Sequence, residues 1–304
     1  MMTSAVGLIG LGAMGSGMAG SLRRAGHDVH VFDIRPGVAA AFAEQGGHAC
    51  ATLAELAAAS DVIVSVVVNA AQTEEVLFGT GRDGTGCAAH MKPGSTFVMC
   101  STVDPQFSIR LETELNAMGL HYVDAPISGG AARAASGEMT MMTAAKPDAY
   151  ARTDHLLHAM AAKVYRLGDR AGAGSKVKII NQLLAGVHIA AAAEAMALGL
   201  REGVNPNDLY EVITHSAGNS WMFENRMAHV LAGDYTPLSA VDIFVKDLGL
   251  VLDTARASKF PLPLSSTAHQ MFMQASTAGH AREDDSAVIK IFPGITLPEG
   301  AKKG

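Results

Sequence analysis

The chain has little of what marks several protein classes. Of its 304 residues only 5% are aromatic and 17% charged. Its three cysteines, Cys50, Cys87 and Cys100, are scattered and odd in number, which excludes a disulfide framework and lacks the paired spacing of a zinc site. A reducing compartment suits them. There is no basic surplus: 23 Lys and Arg against 29 Asp and Glu give a formal net charge of -6, so the chain as a whole attracts neither nucleic acid nor an anionic membrane surface. The opening MMTSAVGLIG has no basic stretch before a long apolar run, and that run breaks at Gly10 and Gly12, so it does not read as an export signal. The most apolar later stretch, Val177 to Leu200, carries Lys178, Asn181, Gln182, His188 and Glu194, and reads as a buried helix of a cytoplasmic protein rather than a membrane span. No metal site is expected. His155 and His158 lack a third ligand and suit a solvated helix face, while Met139, Met141 and Met142 suit packing beside a strand.

What is present is a 49% hydrophobic composition with 32 glycines, and an alternation of short β-branched runs with Ala-rich stretches through the first half. Strands are expected at Val6 to Ile9, Val29 to Asp33, Val62 to Val67, Thr96 to Met99, His121 to Val123 and Met139 to Thr143. Their continuous apolar character suits a mainly parallel sheet covered on both faces. After Lys163 to Leu167 the strand signals stop and the sequence reads as helical through Ala195, Leu209, Met227, Leu248 and Met271. The expected organisation is an α/β domain over residues 1–168 and an all-α domain over 169–304. The run Gly172-Ala173-Gly174-Ser175 offers flexible backbone and an N-cap at Ser175 for a long interdomain helix.

The segment Val6 to Gly15 places a buried strand directly before Gly10-Leu11-Gly12-Ala13-Met14-Gly15, the G-x-G-x-x-G pattern, with a helix beginning where it ends. Gly10 allows the tight turn, Gly12 lets backbone approach a pyrophosphate, and Gly15 allows close packing, while helix amides face the phosphates. Asp33 follows Gly15 by 18 residues, near the roughly 20-residue spacing of the carboxylate that takes ribose hydroxyls. Its charge would repel a 2′-phosphate, so this Rossmann-like segment is expected to bind NAD rather than NADP, although Arg35 stands close by.

Oxidation of an alcohol by a nicotinamide requires a base for the hydroxyl proton, which the cofactor lacks. Lys178, Asn181 and Gln182 fall at i, i+3 and i+4 on one face of an otherwise apolar helix, with Lys176 about 160° away around it. Lys178 is the candidate base; a snorkelling lysine beside a structural asparagine is the plainer reading. Asp124-Ala125-Pro126-Ile127-Ser128-Gly129-Gly130 reads as an irregular loop after a strand. Ser128 with the Gly129 and Gly130 amides suits a carboxylate, and a structural turn explains those glycines equally well.

GLIGLGAMG, DAPISGG, GAGSKVKIINQ and FVKDLGL occur in this order along nearly the whole chain, and together they resemble the β-hydroxyacid dehydrogenase family. The resemblance implies a Rossmann-like N-terminal domain, a long interdomain helix and an all-helical C-terminal domain that makes a homo-oligomer, dimer or tetramer. It implies that Lys178 is catalytic and that Asn181 positions substrate. Ser128, Gly129 and Gly130 would bind the substrate carboxylate, and Lys246 and Asp247 would form a C-terminal substrate-side pair, with Lys246 also facing the cofactor. Ser101 and Thr102 match a pair near the nicotinamide and Asn69 a residue after the fourth strand; a polar turn and a loop cap explain them equally. VVVNAAQTEEVLFG and LLAGVHIAAAAEAMALG most resemble a branch acting on a four-carbon sugar acid, in which histidine often stands at the position of Asn181.

The expected activity is NAD-dependent oxidation of a small hydroxy acid. A reductase of a semialdehyde such as tartronate semialdehyde, or a 3-hydroxyisobutyrate dehydrogenase, is the alternative within the family. A non-catalytic dinucleotide-binding scaffold is the alternative of another class, against which Lys178 argues.

Overall fold

In the computed structural model, which describes residues 4–300, the chain divides into two units, residues 1–178 and 179–304. The alternating pattern of the first half gives, in order, β1 (Ala5–Ile9), α1 (Gly15–Arg24), β2 (Asp28–Phe32), α2 (Val38–Ala43), β3 (His48–Ala49), α3 (Leu53–Ala59), β4 (Val62–Ser65), α4 (Ala70–Phe78), β5 (Thr96–Met99), α5 (Pro105–Ala117) and β6 (His121–Asp124). β7 (Ile127–Ser128), α6 (Gly130–Ser136), β8 (Met139–Ala145), α7 (Pro147–Met160) and β9 (Ala161–Arg166) complete this unit's layers.

Six strands run parallel in the order β3-β2-β1-β4-β5-β6. This is the doubly wound order, with its switch point beside β1 and the crevice at the strands' carboxyl ends. The sheet then turns mixed: β8 pairs antiparallel with β6 and with β7, and parallel with β9. Two apolar layers sandwich it. Val6, Leu8, Met18, Leu22 and Val31 belong to one, and Ile63, Phe97, Met99, Leu111 and Leu115 to the other. Burial of β4 and β5 throughout, and of β1 from Val6 to Ile9, follows from this double cover.

The helix starts are closed by short polar side chains. Thr52, Asp104 and, in the second unit, Asn205 and Ser220 each accept an amide of the first turn, with proline next after Asp104 and Asn205.

α8 (Ala173–Arg201) starts in the first unit and runs into the second, which continues with α9 (Pro206–Thr214), α10 (Trp221–Ala232), α11 (Val241–Ala257) and α12 (Pro263–Ala275). α8 is long and apolar enough to cross a membrane by length and composition. Its Ile189, Ala193 and Met196 are nevertheless packed into the second unit's core with Phe223, Met227, Phe244, Leu248 and Phe272. That core also holds the Arg226 and Asp285 ion pair, whose acid is pushed up to about 7 by burial against the opposing pull of Arg226.

Candidate active site

The glycine turn is shaped by two different constraints. Gly10 has φ +91°, and a Cβ there would stand 3.0 Å from the Val66 carbonyl oxygen. A Cβ on Gly15 would stand 1.8 Å from the Gly10 oxygen, an impossible contact, so the protein itself requires both glycines. A Cβ on Gly12 would meet nothing within 4 Å. Open space lies over that backbone. α1 behind it has no side-chain cap and no acidic residue in its first turn, with Met14 as N-cap residue, so its positive end faces outward without a carboxylate of its own. Leu11 is buried, and Gly12 and Ala13 are exposed.

Asp33 stands one residue beyond β2 rather than inside it. Its Oδ2 accepts the Leu11 amide at 2.7 Å, and Arg35 donates through its backbone N–H and Nε to Oδ1 and through Nη2 to Oδ2, each at 2.9 Å. These donors hold the carboxyl down to about 2, with the Arg35 side chain the largest cause and burial opposing it. The group is therefore an anion wherever the protein works. Such a charge suits a ribose diol and repels a 2′-phosphate.

The softer candidates have structural employment. Asn69 caps α4, its side chain accepting the Gln72 amide at 2.9 Å. Ser101 donates its hydroxyl to the Val67 carbonyl at 2.7 Å and lies 3.1 Å from the Thr73 hydroxyl. Thr102 beside it is half-buried.

The DAPISGG segment is more regular than the loop expected of it. Ile127 and Ser128 form β7 against Met141 and Thr140, a pairing too short for sequence periodicity to reveal. Gly129 and Gly130 follow with φ +137° and +76° and lead into α6. A Cβ on Gly130, like one on Gly12, would meet nothing within 4 Å. α6 is tied at its far end to α1: Ser21 and Arg24 donate to the carbonyls of Ala134 and Ala135 at 3.3 and 2.6 Å, and a Cβ on Gly17 would lie 2.6 Å from that backbone.

The start of α8 also differs from expectation. Helix begins at Ala173, so Ser175 lies inside the first turn and is no N-cap. The cap comes from Asp124 at the end of β6, which accepts the Gly172 and Ser175 amides at 2.8 and 2.9 Å and the Ser175 hydroxyl at 2.7 Å. One turn on, Lys178 is 6% exposed, while Lys176 is on the exposed side.

In the second unit a polar string crosses between two helices. Asn181 Nδ2 donates to Gln182 Oε1 at 3.0 Å, Gln182 Nε2 donates to Asp247 at 2.5 Å, and Asp247 pairs with Lys246 at 2.6 Å. Helical spacing places Gln182 on the right face but gives it no partner, because Asp247 is 65 residues away. Asp124 and Gly174 escape a reading of the sequence for the same reason: no local pattern announces them.

Other groups carry no comparable chemistry. The three thiols are free and buried, and burial pushes Cys50 up to about 11, Cys87 to about 12 and Cys100 higher still, so none is a nucleophile near neutrality. A surface depression of about 560 Å³ beside α7 is lined by Tyr150, Asp154 and Arg166. Its guanidinium is already paired with Asp154 at 2.6 Å. Among the described residues no group of three His, Cys, Asp or Glu side chains is arranged to hold a metal ion.

A doubly wound sheet with an uncapped helix behind an open glycine turn and an acid after β2 defines a dinucleotide-dependent oxidoreductase; the residues fit NAD. Residues 5–168 match the family described as the NAD binding domain of 6-phosphogluconate dehydrogenase, and residues 172–292 that described as NAD-binding of NADP-dependent 3-hydroxyisobutyrate dehydrogenase. An L-threonate dehydrogenase of Cupriavidus necator is 66% identical over 301 residues, 99% of this chain and 100% of the relative. One of Escherichia coli K12 is 54% identical, covering 98% of this chain and 97% of the relative. A crystal structure from Salmonella typhimurium, described as a 3-hydroxyisobutyrate dehydrogenase, superposes with a TM-score of 0.90 at 54% identity, covering 95% of this chain and 100% of that one. The chain belongs to the β-hydroxyacid dehydrogenase family, in its 3-hydroxyisobutyrate dehydrogenase-like group, and is an NAD-dependent enzyme.

Proposed function

We propose that the enzyme oxidises L-threonate at C2 to 2-oxo-tetronate, with Lys178 as general base. The observation that carries the reading is a lysine 6% exposed on the turn after an anchored helix start, in a chain whose other unit-one features fit NAD. The near-complete match to relatives named L-threonate dehydrogenase supports the substrate.

Gly10, Leu11, Gly12, Ala13, Met14 and Gly15 would hold the pyrophosphate, and Asp33 the adenine ribose, with Asn69, Thr102 and Lys246 as further cofactor contacts. NAD, when bound, accepts the hydride from C2. Ser128 and the amides of Gly129 and Gly130 bind the substrate carboxylate, where both glycines have positive φ and a Cβ on Gly130 would meet nothing within 4 Å. Asn181 holds the C2 hydroxyl. Lys178 in its amine form takes the hydroxyl proton as the C2–O bond becomes a carbonyl, and passes it to solvent afterwards. Lys246 and Asp247 would be further substrate contacts, and within the second unit the Gln182 bridge fixes Asp247 relative to Asn181.

In this reading residues 1–168 bind the dinucleotide, while residues 169–304 are an all-helical substrate and oligomerisation domain that makes a homo-oligomer, a dimer or tetramer. Exposed Ile180, Leu184 and Leu198 on α8 support an oligomer, and buried free thiols suit the cytoplasm. A second reading, 3-hydroxyisobutyrate as substrate, is favoured by the likeness to the Salmonella structure described as a dehydrogenase of that acid. Initial rates of NADH formation with L-threonate and 3-hydroxyisobutyrate, and of NADH consumption with tartronate semialdehyde, separate the readings. L-Threonate should give the highest kcat/KM; a higher value for either other compound overturns the assignment.

A further inference from the structure

We propose that Asp124 is a positioning residue of this reaction: from the end of β6 it grips the first turn of α8 and so sets where Lys178 stands. The inference rests on the proposed role of Lys178.

Asp124 is completely buried, and its oxygens are engaged by donors 48 and 51 residues away in sequence. The first amides of any helix lack intrahelical partners and are ordinarily met by a local Ser, Thr, Asp or Asn. Thr52, Asp104, Asn205 and Ser220 do this elsewhere in the chain. At α8 the acceptor is instead the carboxyl group of Asp124 on the central sheet, a costlier arrangement because burial pushes that acid up from its ordinary range against the pull of the Ser175 and Gly172 donors. Its effect is to fasten helix to strand. Ser108, whose hydroxyl is 2.9 Å from the Tyr122 hydroxyl on β6, also favours the ionised form of Asp124.

The fastening is also steric. A Cβ on Gly174 would lie 2.3 Å from the Met142 carbonyl oxygen and 3.1 Å from that of Asp124, so α8 rests directly on the backbone of β8 and β6. Lys178 follows Gly174 by four residues and Ser175 by three, which places it on the gripped side of the helix about 5 Å further along the axis. Lys176, on the other side, is exposed. A shift of this turn is a shift of the lysine, and misplacement by about 1 Å can cost on the order of 10²-fold in rate.

The test uses the full-length enzyme with NAD and L-threonate, comparing Asp124→Asn, Ser175→Ala and Lys178→Ala. Asp124→Asn should lower kcat by ~10-fold or more with the Kd for NAD unchanged, and the primary isotope effect with C2-deuterated substrate should rise because proton and hydride transfer have become slower. Ser175→Ala, which keeps the carboxylate and both amides, should give the same changes on a smaller scale. A purely structural role would lower the active fraction and leave the isotope effect where it was. Wild-type kcat and isotope effect in both variants overturn the proposal, as does a fall in kcat without a change in isotope effect. If Asp124→Asn does not fold, Ser175→Ala decides alone by the same criteria. Normal turnover in Lys178→Ala would instead remove the reading beneath it.

Discussion

Of the glycine-rich junctions that lead into helices in the first unit, two are built in opposite ways. Gly10 to Gly15 opens α1, and Gly172 to Ser175 opens α8. In the first, no side chain caps the helix, and the Gly12 backbone faces open space. In the second, the amides of Gly172 and Ser175 are taken by a buried carboxylate, and Gly174 is pressed against the carbonyls of Met142 and Asp124. Glycine leaves open space over the backbone in one and allows approach by the protein's own sheet in the other. What distinguishes an anion site from an anchored helix is therefore the acceptor already present at the helix start, not the glycines.

The largest effect expected from this contrast concerns the two lysines that follow the closed junction. Lys178→Ala should lower turnover by roughly 10² or more, the usual scale of general acid-base catalysis, while Lys176→Ala should leave it near wild type; steady-state NADH formation checks both. Equal losses would mean that the anchored face of α8 has no special chemistry.

A smaller effect is expected at the open junction's partner. Asp33→Asn should weaken NAD by about 10-fold, some 1.4 kcal/mol, and narrow the preference over NADP, measured by titration of each cofactor. The pH dependence follows from the same group. Because Arg35 and the Leu11 amide lower the acid from 3.8 to about 2, the carboxylate's contribution to folding is complete above its unfolded value and is lost only as pH falls through about 2. Asp33's contribution to NAD affinity should thus be flat from about pH 5 to 9; a loss of NAD affinity toward pH 5 that Asp33→Asn abolishes would contradict this assignment of Asp33.

Much of the open junction was legible in the sequence, because its strand, turn, helix and acid lie within one contiguous segment and obey local rules of periodicity and backbone freedom. The parallel strands β1, β2, β4, β5 and β6 were visible for the same reason. β3 and β7 were not, since two residues show no alternation and their pairing is non-local. The closed junction was legible only in part. Ser175 has the chemistry of a local cap, yet helix begins two residues before it and the real acceptor, Asp124, belongs to a segment whose glycines draw attention to its other end. Helical spacing puts Asn181 and Gln182 on one face, but the link through Gln182 to Asp247 depends on how α11 packs.

The contrast between the junctions is tested most directly by measuring NAD affinity and melting temperature for Gly12→Ala and Gly174→Ala side by side. Gly12→Ala should weaken NAD by about 10-fold at an unchanged melting temperature, because its methyl group meets only open space. Gly174→Ala should leave NAD affinity unchanged while costing about 1–3 kcal/mol of stability, a few degrees of melting temperature. Unchanged NAD binding in Gly12→Ala, or a loss of NAD affinity in Gly174→Ala as large as that in Gly12→Ala, would contradict the account.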